Sequence, residues 1–301
     1  MLYLLLCVFF NALLVFIFKL YQRFSIRTFQ AIVLNYVVCL CTGALFDPTA
    51  LPIMAENAGE PWMLMSWLLG ALFIGSFYLI ALTTQKIGVS AATVAMKTSL
   101  VVPVLFSLLV LQNTLKDYTF LNYLGIALAL AAMVFTSRRQ AEEQVGPLGL
   151  LAWALPLIVF VAAGAGDVII NYTNLRLLQP EQAGAFTMST LAASAVIGLG
   201  VLLYQWLVLK VPFERKNAVA GIGLGIPNFF SIYFLVKALS AFQNDGAFLY
   251  PVNNIGIILL ATLGGILLFG EKLSRLNWLG LFLAVAALVL LSYQEVSLLV
   301  F

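Results

Sequence analysis

Apolar residues come in long runs along this chain, and polar residues gather between the runs. The runs cover residues 2–18, 28–46, 62–84, 89–111, 119–137, 149–171, 183–206, 219–239, 246–269 and 278–294. Each is near the ~20 residues an α-helix needs to cross a hydrocarbon layer roughly 30 Å thick. The pattern predicts an all-α integral membrane protein with ten transmembrane helices. The intervening segments are short. The longest, Asp47 to Pro61, carries Asp47, Glu56 and Glu60 and no basic residue. No extramembrane domain has room to form.

Composition agrees. Hydrophobic residues make up 63% of the chain and charged residues 9%, against about 25% charged in soluble domains. The mean hydropathy of +1.07 excludes a soluble globule. The opening Met1-Leu2-Tyr3-Leu4-Leu5-Leu6 has no basic n-region and no small-residue cleavage site, so it reads as a first helix and not a removable signal. There is no histidine, and Cys7, Cys39 and Cys41 all sit in apolar runs. That is neither a disulfide framework nor a zinc site, so the cysteines read as packing residues and no metal or cofactor is expected. A net charge of +3 is too small to argue for nucleic acid. The expected partners are the lipid bilayer and a small-molecule substrate.

Basic residues divide unevenly. The odd-numbered loops hold Lys19, Arg23, Arg27, Lys86, Arg138, Arg139, Lys210, Arg215, Lys216, Lys272 and Arg275, eleven of the fifteen. The positive-inside rule places these loops in the cytoplasm and both termini outside. Economy of loops and tails suggests a multi-pass protein of a bacterial inner (cytoplasmic) membrane.

The second half repeats the first. Asn122-Tyr123-Leu124-Gly125 and the residues that follow line up with Asn277-Trp278-Leu279-Gly280, an offset of 155. The same offset pairs Tyr78 with Tyr233 and sets Thr98-Ser99 opposite Asn253-Asn254. The expected organisation is two five-helix repeats, residues 1–145 and 146–301. Five is odd, so the two repeats lie inverted in the bilayer, and inverted repeats with a site at their interface are a transporter signature.

Ten spans as five plus five, a Gly-Glu-Lys-Leu-Ser turn at Gly270 to Ser274 and the Trp278-Leu279-Gly280 after it resemble the drug/metabolite transporter (DMT) superfamily, EamA-type branch. The resemblance covers nearly the whole chain and implies fold and broad class, not substrate. Two features depart from the pattern. The first repeat has Leu115-Lys116-Asp117-Tyr118 in place of the Gly-Glu-x-Leu turn. Many members are also drawn with cytoplasmic termini, whereas the charges here argue the opposite.

Lys97 falls near the middle of the fourth run, between Gln85-Lys86 and Gln112-Asn113. A charge at that depth is costly and marks a functional site by default. One reading has it hold an anionic group of the substrate, with Thr98 and Ser99 beside it; the other has it snorkel or pair with an internal acid. The fourth helix of triose-phosphate and nucleotide-sugar carriers, distant members of the superfamily, is similar in placing a lysine before small hydroxylated residues. Pro103 frees a carbonyl one turn back, so a kink is expected there.

Asp167 is the other ionisable group well inside a run, after Gly164-Ala165-Gly166, with Asn171 one turn on along the same face. It reads as a proton-coupling site, as a partner for Lys97, or as a wet residue near a helix end. The small multidrug exporters of the superfamily carry a membrane glutamate in helix one, where this chain has Asn11 and no acid. Tyr250-Pro251-Val252-Asn253-Asn254 is the counterpart of the Lys97 stretch. Its asparagines need hydrogen-bond partners, either a substrate or a neighbouring helix. Tyr78 and Tyr233 line a cavity or sit in an aromatic belt. Gly221-Ile222-Gly223-Leu224-Gly225-Ile226-Pro227 reads equally as a broken helix or a tight packing face. Lys237 and Asp245 read first as boundary residues in reach of water.

The leading functional expectation is a secondary transporter of a small polar, anion-bearing metabolite, working by alternating access. Lys97, Thr98, Ser99, Asn253, Asn254, Tyr78, Tyr233 and Tyr250 would contact the substrate, and Asp167 with Asn171 would couple to protons. A multidrug or amino-acid exporter coupled through Asp167 is the alternative, and a non-transporting scaffold or sensor is a different class. An enzyme is not expected: no nucleophile–base set or metal cluster is visible, and Ser99 is two residues from Lys97 and so on a different helix face.

Overall fold

The computed structural model describes residues 1–86, 95–96, 99–112, 117–137, 151–270 and 275–300, and regular structure among them is entirely helical. In chain order the helices are α1 (Leu2–Arg23), α2 (Thr28–Phe46), α3 (Ala50–Glu56), α4 (Pro61–Lys86), α5 (Val101–Phe106), α6 (Phe120–Ser137), α7 (Leu151–Arg176), α8 (Ala183–Leu207), α9 (Arg215–Ala241), α10 (Gly246–Phe269) and α11 (Arg275–Val300). Six described helices are long and apolar enough to cross a membrane, and four shorter apolar helices cover Leu2–Phe18, Val101–Leu111, Phe120–Ala132 and Trp278–Leu291. Every one of the ten apolar runs thus overlaps a helix. The chain is an all-helical protein whose long apolar helices suit a multi-pass membrane protein.

Two local features go beyond the sequence pattern. The Asp47–Pro61 connection contains α3, built from Ala-Leu-Pro-Ile-Met-Ala-Glu. Its proline sits in the first turns, where a missing N–H costs little. In the fourth run, α5 opens into a π-helical turn at Ser107–Leu111, four residues after Pro103. The Ser107 N–H is shared between the Pro103 and Val104 carbonyls. This widened turn lies beyond Pro103; the position beside Lys97, where the sequence predicts a kink, lies outside the described residues.

Helix starts echo the sequence repeat. Thr28 and Ala183 open α2 and α8, and Phe120 and Arg275 open α6 and α11, 155 positions apart in both cases. Compactness divides the chain differently. One unit takes Met1–Tyr78 and Ile169–Ala241, and the other takes Leu79–Val168 and Phe242–Phe301. Each unit therefore draws on both sequence halves, and α4 and α7 each contribute to both.

In the first unit α9 packs on α1 and α2, and α2 also packs on α8. Gly221 and Gly225 make the α9–α2 contact possible. A Cβ on Gly221 would stand 2.6 Å from the Ala31 carbonyl oxygen, and one on Gly225 would stand 2.5 Å from the Val38 Cβ. With α9 continuous through Pro227, the glycine stretch is a packing face in this structure and not a break. Interhelical hydrogen bonds reinforce it. Asn217 donates to the Gln30 Oε1 at 2.7 Å, Gln30 donates to the Pro212 carbonyl at 3.0 Å, and the Asn217 Oδ1 accepts from the Arg27 N–H at 3.0 Å. Arg27 and Lys216 both pair with Glu214, at 2.9 and 3.1 Å. Cys7 and Cys39 are buried thiols, whereas Cys41 is exposed. Cys39 donates to the Gly225 carbonyl.

In the second unit α6 packs on α11, and α10 packs on α5 and α11. Asn122 closes the start of α6, its Oδ1 accepting from the Thr119 N–H at 2.9 Å. Asp245 caps α10 and accepts from the Phe248 N–H at 3.1 Å. Gly270, the first residue of the Gly-Glu-Lys-Leu-Ser turn, ends α10 at φ +63°, a conformation glycine adopts at least cost. Residues 271–274 lie outside the described residues, as does the repeat boundary at 145 and 146.

Candidate functional site

Three segments of the second unit meet around the middle of the fourth and ninth runs. The first is the stretch entering α5. Its Ser99 N–H bonds to the Ala95 carbonyl at 3.1 Å, and the Ser99 hydroxyl donates to the Met96 carbonyl at 2.7 Å. Ser99 is buried at 2% exposure. The second segment is the first part of α7. A Cβ on Gly164 would lie 2.7 Å from the Val102 Cβ and 3.1 Å from the Ser99 carbonyl oxygen. The missing side chain therefore lets α7 approach Ser99–Val102 closely. Asp167 is three residues on, along the same face, and is half-buried.

The third segment is the start of α10. Tyr250 is 1% exposed, and its hydroxyl donates to the Asp167 backbone carbonyl at 2.7 Å. This bond ties α10 to α7 and uses the phenol's only proton, so Tyr250 acts as a strut here. Asn254 donates back to the Tyr250 carbonyl at 3.0 Å. Pro251 lies between them inside the helix and cannot donate to the carbonyl one turn earlier. Asn253 is 6% exposed. Its Oδ1 is buried and has no hydrogen-bond partner among the described residues.

The structure thus brings Ser99, Asp167, Tyr250, Asn253 and Asn254 into one unit, joined through α5, α7 and α10. Lys97 and Thr98 lie outside the described residues. Tyr78, Tyr233 and Asn171 belong to the first unit. Tyr78 is 56% exposed on α4. Tyr233 stacks on Phe229 at 5.6 Å and meets Phe46 edge-on at 5.5 Å, with the Lys237 ammonium 5.7 Å from its ring centre. Lys237 also donates to the Pro180 carbonyl at 3.2 Å. Asn171 is fully buried, and both its amide atoms lack partners among the described residues.

Asp245 corrects the boundary reading. It is fully buried instead of reaching water, and its Oδ1 also accepts from the Tyr118 hydroxyl at 3.2 Å. The signal was visible: an aspartate directly before an apolar run is a helix N-cap pattern. Tyr118, part of the stretch that departs from the Gly-Glu-x-Leu turn, supplies the second partner. No group of three or more histidine, cysteine or acidic residues able to hold a metal occurs among the described residues.

No protein-family model matches the chain. It is similar to an uncharacterized protein of Haemophilus influenzae, 27% identical over 285 residues, which span 92% of each chain. A crystal structure at 17% identity has a TM-score of 0.67, covering 99% of this chain and 97% of the other. At that identity the likeness is one of fold.

Proposed function

We propose that the chain is a secondary transporter of a small polar, anion-bearing metabolite, a ten-span member of the drug/metabolite transporter superfamily built from two inverted five-helix repeats. The observation that carries this reading is a polar set deep in apolar helices. Ser99, Asp167, Asn253 and Asn254 are joined through contacts of α5, α7 and α10, and Lys97 is two residues from Ser99 in sequence. Such groups are costly in a bilayer and are retained for substrate or ion pathways. Helix starts recurring at the 155-residue offset support the repeat. Six helices long and apolar enough to cross a membrane, with four shorter apolar ones, support a count of ten.

In this reading Lys97 holds the anionic group, with Thr98 and Ser99 beside it, and the α10 asparagines give direction. Asp167 is the proton-coupling candidate, and proton-coupled export of amino acids or drugs through it is the second reading. The protein lies in the cytoplasmic membrane with both termini outside.

Solute counterflow in vesicles tests the proposal. The purified chain is reconstituted with anionic, zwitterionic or cationic metabolites inside and the labelled solute outside. Anion counterflow lost in Lys97→Ala supports the first reading. Cation exchange that follows a pH gradient and disappears in Asp167→Asn supports the second. Absence of counterflow for every class sinks both.

A further inference from the structure

The hydrogen-bond inventory of this site is lopsided. Each donor recorded there is already used within the protein: the Tyr250 hydroxyl on the Asp167 carbonyl, the Asn254 amide on the Tyr250 carbonyl and the Ser99 hydroxyl on the Met96 carbonyl. What remains open is an acceptor. The Asn253 Oδ1 is enclosed and unpartnered among the described residues, on a side chain 6% exposed. A buried amide oxygen without a donor is costly, more so in a membrane where bulk water is absent. Native proteins meet such a need with a water or a ligand.

The neighbourhood is not built to leave this atom idle. Pro251, two residues earlier, and Asn254, next to it, place three helix-disfavouring residues within one turn of α10. An apolar residue would pack at position 253 without the penalty. From the open Asn253 Oδ1 we propose that the substrate gives this atom a hydrogen bond: it is an anion that also carries a donor group, an ammonium or a hydroxyl, and not a simple carboxylate. The inference rests on the transporter reading above and narrows its substrate class. A carbonyl oxygen accepts equally from N–H and O–H, so the donor requirement is the shared chemistry.

Matched acids separate the possibilities. Alanine, lactate and propionate share a carboxylate and a three-carbon frame and differ only in an ammonium, a hydroxyl or neither. Phenylalanine, phenyllactate and 3-phenylpropionate repeat the series with a larger body. Binding of all six to the purified full-length chain is measured by thermal unfolding against concentration.

In at least one series the donor-bearing acids are expected to bind on the order of tenfold more tightly than the donor-free one, the worth of one net hydrogen bond. In Asn253→Leu all members fall to the donor-free level, while the ligand-free protein unfolds at a higher temperature because its open acceptor is gone. Donor-free acids binding as tightly as their partners in the native protein overturn the inference and leave the transporter reading standing. A preference that survives Asn253→Leu also overturns it, because water then satisfies the Oδ1. No acid shifting the native protein overturns the anion-site reading, and this inference with it. The native comparison needs no variant, so a poorly folding Asn253→Leu does not remove the test.

Discussion

Helices α9 and α10 look alike on paper. Each has a proline inside it and asparagines close by, Asn228 after Pro227 and Asn253 after Pro251. The structure treats them differently. The Asn228 side chain lies against the Cys39 thiol, and Cys39 also donates to the Gly225 carbonyl at 3.1 Å. Gly221 and Gly225 let α2 come close enough to supply those partners. In α10, Tyr250 and Asn254 are tied down and Asn253 is left open. The same residue types serve as interhelical glue in α9, and in α10 leave one amide oxygen without a partner among the described residues.

The contrast sets an order of expected effects. Gly225→Leu breaks the closed helix most severely, since the added side chain collides with Val38 and the Asn35 carbonyl oxygen. Overpacking of this kind costs about 1–3 kcal/mol or more. The yield of monodisperse protein should collapse, whereas Asn253→Leu, which exchanges side chains of similar size in α10, should not reduce it. Equal yields would remove the distinction between the two helices.

Asp245→Ala strips α10 of its cap and leaves the Phe248 N–H and the Tyr118 hydroxyl without this acceptor. The expected loss is about 1–2 kcal/mol, read as a lower unfolding temperature. Tyr118→Phe should give a smaller loss in the same direction. An unchanged melting curve for Asp245→Ala would show that the buried cap contributes nothing.

Tyr250→Phe keeps the ring and deletes one hydrogen bond, so about 1 kcal/mol is expected. If Tyr250 is a strut, ligand preference across the matched acids should be unchanged in this variant. A changed preference would return Tyr250 to the substrate contacts. Asn254→Ala removes only a bond to its own preceding turn, and a few tenths of a kcal/mol is expected, within the range of ordinary surface substitutions. A loss above 1 kcal/mol would mean that Asn254 reaches another helix.

Architecture was the more legible part of this chain. Hydrophobic runs report directly on what a bilayer demands, and each of the ten runs overlaps a helix among the described residues. The 155-residue register, visible in Asn122 and Asn277, reappears in the helix starts. Three things were not legible. The short helix α3 hides in a connection whose residues carry no periodic apolar signal. The interleaving of the compact units depends on which helix faces meet, and a run that is apolar throughout gives little sign of its face. The fate of single polar groups depends on partners far away in sequence: Gln30 finds Asn217, and Asp245 finds Tyr118. Tyr250 read as a substrate contact because it opens the counterpart of the Lys97 stretch. Its acceptor is a backbone carbonyl of Asp167 that no side-chain pattern announces.

The interleaving also bears on how the protein is made. Helix α2 is complete once residue 46 has been synthesised, but its main partner, α9, ends at residue 241. At about 5–20 residues per second, a ribosome needs roughly 10–40 s to close that gap. Through this interval the Gln30 amide and the groove for Gly221 and Gly225 wait on an unfinished bundle. A nascent chain stalled before α9 should therefore be a client for quality control, however apolar its helices are.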